Sequence, residues 1–353
     1  MRSYPGMRRI PLSFRARYNA GFCLEHFFPE SERVRAFTAA ARARIVDHVR
    51  SSGKGRSIPV ARATSLAPAD FRRHFLSKGI PVLIEGAAAS WPLMERWSFA
   101  EFDRRFGHET IKLVQRKGAA APEEVVEGRE FSEEIGFSAF LEQIFNGGRK
   151  YMRFSPLFEQ FPELLADFDH SYFQQMVRNR LGMSFQCFIG GRGTFTPLHN
   201  AITPFFFLNA CGTKRWTLVP NQYLAVLNPS PDGFGYNHSA ADLDFSNVDA
   251  FPGLDCIERL EVVLQPGDLL FVPPWMWHCV QNDSPTIGVR CGFMAPRAML
   301  TESMTLAFIR IFAARNPTTL EWLYYSLFKT NLPERDRLLT TPKWHLRTTR
   351  DQK

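Results

Sequence analysis

The sequence predicts a mainly β core, a sandwich or barrel, carrying helical extensions at both ends. Three observations lead there. Residues 184–294 break into the short apolar runs SFQCFIG, TFTPLHN, PFFFLNACG, KRWTLVP, RLEVVL, DLLFVP, HCVQN and TIGVRCGF, separated by GRG, GTK, PGD and NDSP. That is the punctuation of successive strands and tight turns. Apolar residues at three- and four-residue spacing flank the region on both sides, marking amphipathic helices. With 353 residues and 45% hydrophobic content, the chain is long enough to bury an extended core.

From the N-terminus, SERVRAFTAAARARIVDHVR (31–50) places its arginines on one side of a helix. Residues 1–62 hold 13 Lys and Arg against 4 acids, whereas the other 30 Lys and Arg nearly balance 31 acids, so the basic character belongs to this extension. A solvated helix face accounts for it. No zinc-finger spacing, RNA-binding signature or interleaving of Lys with aromatics argues for nucleic acid. SSGKGRSIPV (51–60) reads as a linker. LAPADFRRHFLSKG (66–79) is expected to be a short helix stopped by Gly79, IPVLIEG (80–86) a buried strand, and WPLMERWSFAEFDRRFG (91–107) a helix with Ser98 as a cap. FSAFLEQIFNGG (137–148) reads as a helix capped by Ser138 and ended by Asn146-Gly147, and FEQFPELLADF adds helical surface.

Beyond Pro296, AMLTESMTLAFIRIFAAR and PTTLEWLYYSLFKTNL return to helical spacing. Met304, Phe308, Ile311 and Phe312 are read as intramolecular core, with a homodimer face as the alternative. Three regions follow: a basic helical extension and linker at 1–62, a β domain at 63–295 and a helical cap at 296–353. The six cysteines are scattered, form no CxxC pair and read as reduced thiols of a cytoplasmic protein. Apolar stretches are broken well before the ~18 residues of a membrane span. No GxSxG elbow appears, and GGRG (190–193) lacks the ending of a phosphate loop.

Two histidines stand out in the strand region, His199 in TPLHNA and His278 in PPWMWHCVQN. Either alone reads as a hydrogen-bonded core residue. Their surroundings say more. LQPGDLLFVPPWMWHCV, TPLH, GTKRWTLVP with Lys214, PVLIEG followed by SWPLMERWS, and SNVDAFPG together resemble, in order and spacing, the jumonji-C and cupin-like oxygenases over most of residues 80–295. The resemblance implies a double-stranded β-helix (cupin or jelly-roll) core and a dioxygenase, an oxidoreductase that binds Fe(II) and 2-oxoglutarate. It implies His199 and His278 as metal-binding imidazoles, which suits non-haem iron. It also implies Lys214, with Thr196 beside it, as the anchor for the distal carboxylate of 2-oxoglutarate.

The departures from that family are confined to a few positions. The family's His-x-Asp or His-x-Glu is here His199-Asn200-Ala201. Residues two apart on a strand share a face, so Ala201 holds the place of the acid and Asn200 points away unless a bulge rotates it. Phe205 stands where many relatives carry asparagine, and Arg290 stands near another such position, able to pair with an anion in the site or with a surface acid. Three readings stay open. In the first, chloride or bromide takes the vacant ligand position at Ala201, as in iron-dependent halogenases, with Arg290 or Asn209 helping to hold it. In the second, a hydroxylase works with a two-histidine site completed by water, His238, Asp249 or Asn200. In the third, the fold is a non-catalytic binding protein. The substrate, a small molecule, carrier-bound group or protein side chain, has no signature in the sequence.

Overall fold

In the computed structural model, which describes residues 4, 6–115, 131–153, 157–178, 183–231 and 235–312, each of the eight runs named above between 184 and 294 holds a strand. The early strands are β1 (Ser57–Pro59), β2 (Ala61–Ala63), β3 (Val82–Ile84), β4 (Thr110–Gln115), β5 (Phe131–Gly136) and β6 (Tyr151–Met152). The core follows as β7 (Ser184–Gly190), β8 (Phe195–His199), β9 (Phe205–Cys211), β10 (Lys214–Val219), β11 (Arg259–Leu264), β12 (Leu269–Val272), β13 (Trp277–Asn282) and β14 (Thr286–Gly292). A five-stranded sheet has the order β1-β11-β10-β13-β8 and a seven-stranded sheet the order β2-β3-β12-β9-β14-β7-β6, with β4 and β5 paired separately. Apart from β10 and β11, which are neighbours in the smaller sheet, successive core strands cross from one sheet to the other, and the core pairings are antiparallel. This is the double-stranded β-helix.

Strand periodicity explains the unbroken apolar run PFFFLNAC. Phe205 and Phe207 of β9 belong to the buried cluster shared with Trp216 and Leu218 of β10, between the sheets. Phe206 and Leu208 face the other way, into a second cluster with Phe71, Trp91, Phe102 and Phe173. Because helices cover the outer face of the larger sheet, both sides of its strands are dry, and alternation of apolar with polar residues disappears. On β14 the division assigns Ile287, Val289 and Cys291 to the helical side. Gly288, Arg290 and Gly292 are left to the interior.

The helices refine several expectations. Residues 66–79 do end at Gly79 (φ 64), but through a short α turn, a π turn at Phe71–Phe75 and a 3-10 turn. The stretch 91–107 is two helices, Leu93–Arg96 and Phe99–Phe106, because Ser98 caps the second by accepting from the Glu101 amide at 3.1 Å. Ser138 does not cap its helix: Gly136 is the N-cap residue of Phe137–Phe145, and the Ser138 hydroxyl donates to Asp103. All six cysteines are free thiols. No helix among the described residues is long and apolar enough to cross a membrane.

At the N-terminus α2 (Glu32–Ser51) lies where the arginine-rich run predicts it, capped by Ser31. A preceding helix, α1 (Leu12–Phe27), was not legible, since Asn19 and Gly21 interrupt it as turn residues would. Gly21 is there for contact: a Cβ on it would lie 2.7 Å from Thr38 Oγ1 of α2. Tyr18, Phe22 and Ile45 join the same buried cluster as Tyr223 and Leu224. The expected linker is likewise structural, since β1 pairs in parallel with β11 and β2 with β3. At the other end, Met304, Phe308, Ile311 and Phe312 are exposed (68, 46, 47 and 56%). Leu306, Ala307 and Ile309 are the buried side of helix Met304–Phe312, so the periodicity was right and the chosen face was wrong. PTTLEWLYYSLFKTNL lies outside the described residues.

The PGD turn ties these layers together. Asp268 Oδ1 accepts from the Gly86 amide and Oδ2 from the Gln265 amide, both at 2.9 Å, while the Gly267 carbonyl accepts from the Ala88 amide at 3.0 Å. Asp268 is 7% exposed, so its removal leaves two amides without their acceptor. Asp268→Ala should lower the unfolding free energy by about 2 to 3 kcal/mol, measured by denaturant titration against wild type.

Candidate functional site

The inner face of the smaller sheet is a grid of three rows. Leu218, His278 and His199 stand opposite one another across β10, β13 and β8; Trp216, Val280 and Thr196 form the next row; Lys214 pairs with Asn282 in the last. His199 and Thr196 are three apart and would normally face opposite sides. A shift of register between His278 and Val280 inserts one extra residue on β8, and this bulge returns Thr196 to the histidines' side. The sequence offered no sign of it beyond Pro197.

The two imidazoles lie 4.1 Å apart between ring centroids, with His278 stacked on Trp216 at 5.6 Å and flanked by Phe205 at 5.5 Å. Each is anchored in the same way. His199 Nδ1 is 2.9 Å from the Pro197 carbonyl and His278 Nδ1 is 2.9 Å from the Met276 carbonyl. A carbonyl can only accept, so the proton sits on Nδ1 and each Nε2 keeps its lone pair for a metal. Burial is the main cause that pushes the His199 pKa down to about 4, helped by the charges of Arg153 and Arg290. His278 is held well below the ordinary value by burial, with His199 and Arg290 adding to it. Both rings are therefore neutral at pH 7, the state that ligates.

Ahead of His278 the PPWM segment is constrained. Trp275 has a positive φ of 60°, a conformation a bulky residue adopts only when its surroundings impose it. Its amide donates to the Ala201 carbonyl at 2.7 Å and its indole to the Met299 carbonyl at 2.8 Å. The first bond joins the two histidine segments directly.

No third ligand gathers with the pair: among the described residues there is no cluster of three or more His, Cys, Asp and Glu side chains that could hold a metal. Asn200 turns away, its amide group donating to the Tyr236 carbonyl at 3.3 Å. Asp249 is exposed in a surface turn. His238 forms a backbone bridge with His199, its ring 6.1 Å from that of His199 and close to parallel. Asn209 lies four residues beyond Phe205 on β9, about 13 Å along the strand, and its side chain donates to the Gly212 carbonyl at 2.7 Å, closing the turn before Lys214.

Lys214 has no exposed surface. Its ammonium donates to the Tyr151 hydroxyl at 3.3 Å and lies 4.9 Å from the centre of the Phe207 ring, with Tyr151 and Phe188 at 5.4 and 5.9 Å. No carboxylate among the described residues pairs with it. Arg290 also faces the interior, donating to Thr203 Oγ1 at 2.8 Å and Gln186 Oε1 at 3.4 Å, with its guanidinium 4.7 Å above the Phe205 ring. Burial lowers its pKa to about 10, which leaves it charged at neutral pH. Tyr151, Arg153, Gln186 and Thr203 were not singled out from the sequence. The alternation of Tyr151 with Arg153 around buried Met152 was the available signal for the first two.

The lowered histidine pKa values have a measurable consequence in metal-free protein. The unfolded chain takes up a proton on each histidine near pH 6.5, whereas native His199 does so only near pH 4. Stability is therefore full above pH 6.5 and lost as the pH falls toward 4, by about 3 kcal/mol for this residue. Unfolding followed in EDTA across that range should show the loss, and His199→Gln should reduce it.

Comparison with known proteins agrees with this geometry. A model of the cupin-like domain family matches residues 68–296. The chain is 26% identical over 236 residues to lysine-specific demethylase JMJ30 of Arabidopsis thaliana, covering 65% of this chain and 53% of that protein. It is 26% identical over 231 residues to lysine-specific demethylase 8 of Xenopus tropicalis, with 64% and 50% covered. Jumonji C domain-containing protein 5 of Drosophila melanogaster is 24% identical over 241 residues, with 66% and 58% covered. The chain spans about half the length of the curated relatives it matches. Since the match takes in the strands that bear His199, Lys214 and His278, the chain belongs to the jumonji-C, cupin-like domain family.

Proposed function

We propose that this chain is a 2-oxoglutarate-dependent non-haem iron oxygenase acting on a C–H bond, with two histidines as its protein ligands and an exogenous anion in the place left by Ala201. Lys214 carries the reading. It is a fully buried ammonium, bonded to one phenol, ringed by aromatics and faced by no carboxylate among the described residues. A cation so desolvated calls for a negative partner, and the distal carboxylate of 2-oxoglutarate fits. The two neutral imidazoles, each with Nε2 open, fit the nitrogen donors of Fe(II). Bound iron, 2-oxoglutarate and O2 would together supply the oxidant for the C–H bond, with succinate and CO2 as the other products.

The chain's own residues set the conditions for that chemistry. His199 and His278 are fixed in the ligating tautomer, so little ordering is needed when a metal arrives. Phe205 and Trp216 wall the histidine row and keep water from it. Lys214 and Thr196, further along the grid, hold and orient the co-substrate. Ala201 contributes neither an oxygen ligand nor a charge, and no described side chain replaces it. That vacancy supports halogenation over hydroxylation as the outcome, because chloride or bromide would supply the missing ligand and charge together. Two relatives are named lysine-specific demethylases, so methylated lysine side chains belong with small and carrier-bound molecules in a substrate panel.

Metal and ligand titrations test the class. His278→Ala should abolish Fe(II) binding, and Lys214→Met should weaken 2-oxoglutarate by about 10- to 100-fold. If wild-type protein binds neither, the oxygenase reading is lost. Succinate formation and product mass, with and without chloride or bromide, test the outcome. Halogenated product that disappears in Ala201→Asp is expected; hydroxylated product indifferent to halide would reject halogenation and keep the oxygenase.

A further inference from the structure

Lys214 and Arg290 are both cations turned into the space between the sheets with no described carboxylate beside them, and the charge of Arg153 also reaches His199 there. Their positions are related through β9. Phe205 and Phe207 are successive inward residues of that strand, about 7 Å apart. The Arg290 guanidinium lies 4.7 Å over the first ring and the Lys214 ammonium 4.9 Å from the second. Phe205 also flanks His278, so Arg290 marks the histidine end of this inner face and Lys214 the far end.

The place of the guanidinium is built. Arg290 pairs in register with Phe207 on β9, yet its side chain leans toward Phe205, over Gly292. A Cβ on Gly292 would lie 2.7 Å from Arg290 Nη1 and 3.1 Å from Cζ, so glycine alone leaves room for this conformation. Thr203 and Gln186 orient the fork with neutral oxygens. Of five N–H donors two are engaged in these bonds, and a part-buried guanidinium with only neutral acceptors favours an anion on its free edge.

We propose that Arg290 and Lys214 clamp the two carboxylates of the co-substrate between them, Arg290 taking the keto-acid end, so that a five-carbon dicarboxylate binds this protein without a metal. The inference rests on the co-substrate reading of Lys214. It also gives Ala201 a counterpart: where the protein offers the metal one ligand fewer, Arg290 holds directly the end of the co-substrate that chelation would otherwise hold. Arg290 is then a binding residue for carboxylate, and any halide position lies at Ala201.

Calorimetric titration of the full chain in EDTA tests this with 2-oxoglutarate, glutarate and pentanoate. Glutarate keeps both carboxylates and lacks the keto group; pentanoate keeps one carboxylate. The expected result is that 2-oxoglutarate and glutarate bind within a few-fold of each other and pentanoate binds at least about 10-fold more weakly, the effect of one charge-assisted contact. Arg290→Met should reduce both dicarboxylates to the level of pentanoate, and Arg290→Lys, which keeps the charge without the fork, should fall between. Gly292→Ala, by displacing the guanidinium, should act like Arg290→Met. The clamp is overturned if wild-type protein binds 2-oxoglutarate only when Mn(II) is added, or if glutarate and pentanoate bind alike; in either case metal-dependent binding would leave the oxygenase reading standing. Absence of binding with and without Mn(II) overturns both.

Discussion

The site depends on one pairing, that of His199 with His278 across adjacent antiparallel strands. Two imidazoles placed directly opposite on a sheet are close enough to share a metal, but each ring could still rotate. The backbone carbonyls of Pro197 and Met276 remove that freedom and fix the tautomer as well. The bulge on β8 brings Thr196 to the same side, and the bond from the Trp275 amide to the Ala201 carbonyl holds the two histidine segments in step. Each of these is a local backbone arrangement, and each would be purposeless without the pairing.

Electrostatics gives the site its second character. Neutral histidines, a buried lysine and the part-buried Arg290 face the interior, the charge of Arg153 reaches His199, and the rings of Phe205 and Phe207 present their negative faces to Lys214 and Arg290. In a medium of low dielectric such an arrangement carries unbalanced charge over a short distance. The aromatic content of PFFFLNAC thus has two uses, filling the core and moderating the cations.

Much of this was legible because strands and turns leave strong marks. The eight core strands, the PGD and GTK turns, both histidines and Lys214 could be placed from the sequence, and Asn200 was expected to turn away, as it does. What could not be read has physical reasons. A bulge changes the facing of residues without changing their composition, so the position of Thr196 relative to His199 was open. Arg290 could not be assigned to the interior or the surface, since a guanidinium on a strand serves either, and only the glycine beside it leaves the space it occupies. The face of helix Met304–Phe312 was misjudged because apolar residues surround that helix, and α1 was missed because Gly21 serves contact between helices.

The stretch 57–63, whose first half lies in the segment read as a linker, ends as one edge strand of each sheet. Each of the two strands is three residues long and largely exposed, and they carry Pro59 and Arg62. A sheet margin of that kind offers few free amides in line and places a charge where another chain would have to dock. The basic extension therefore does more than add helices: it supplies a short, charged strand at one margin of each sheet.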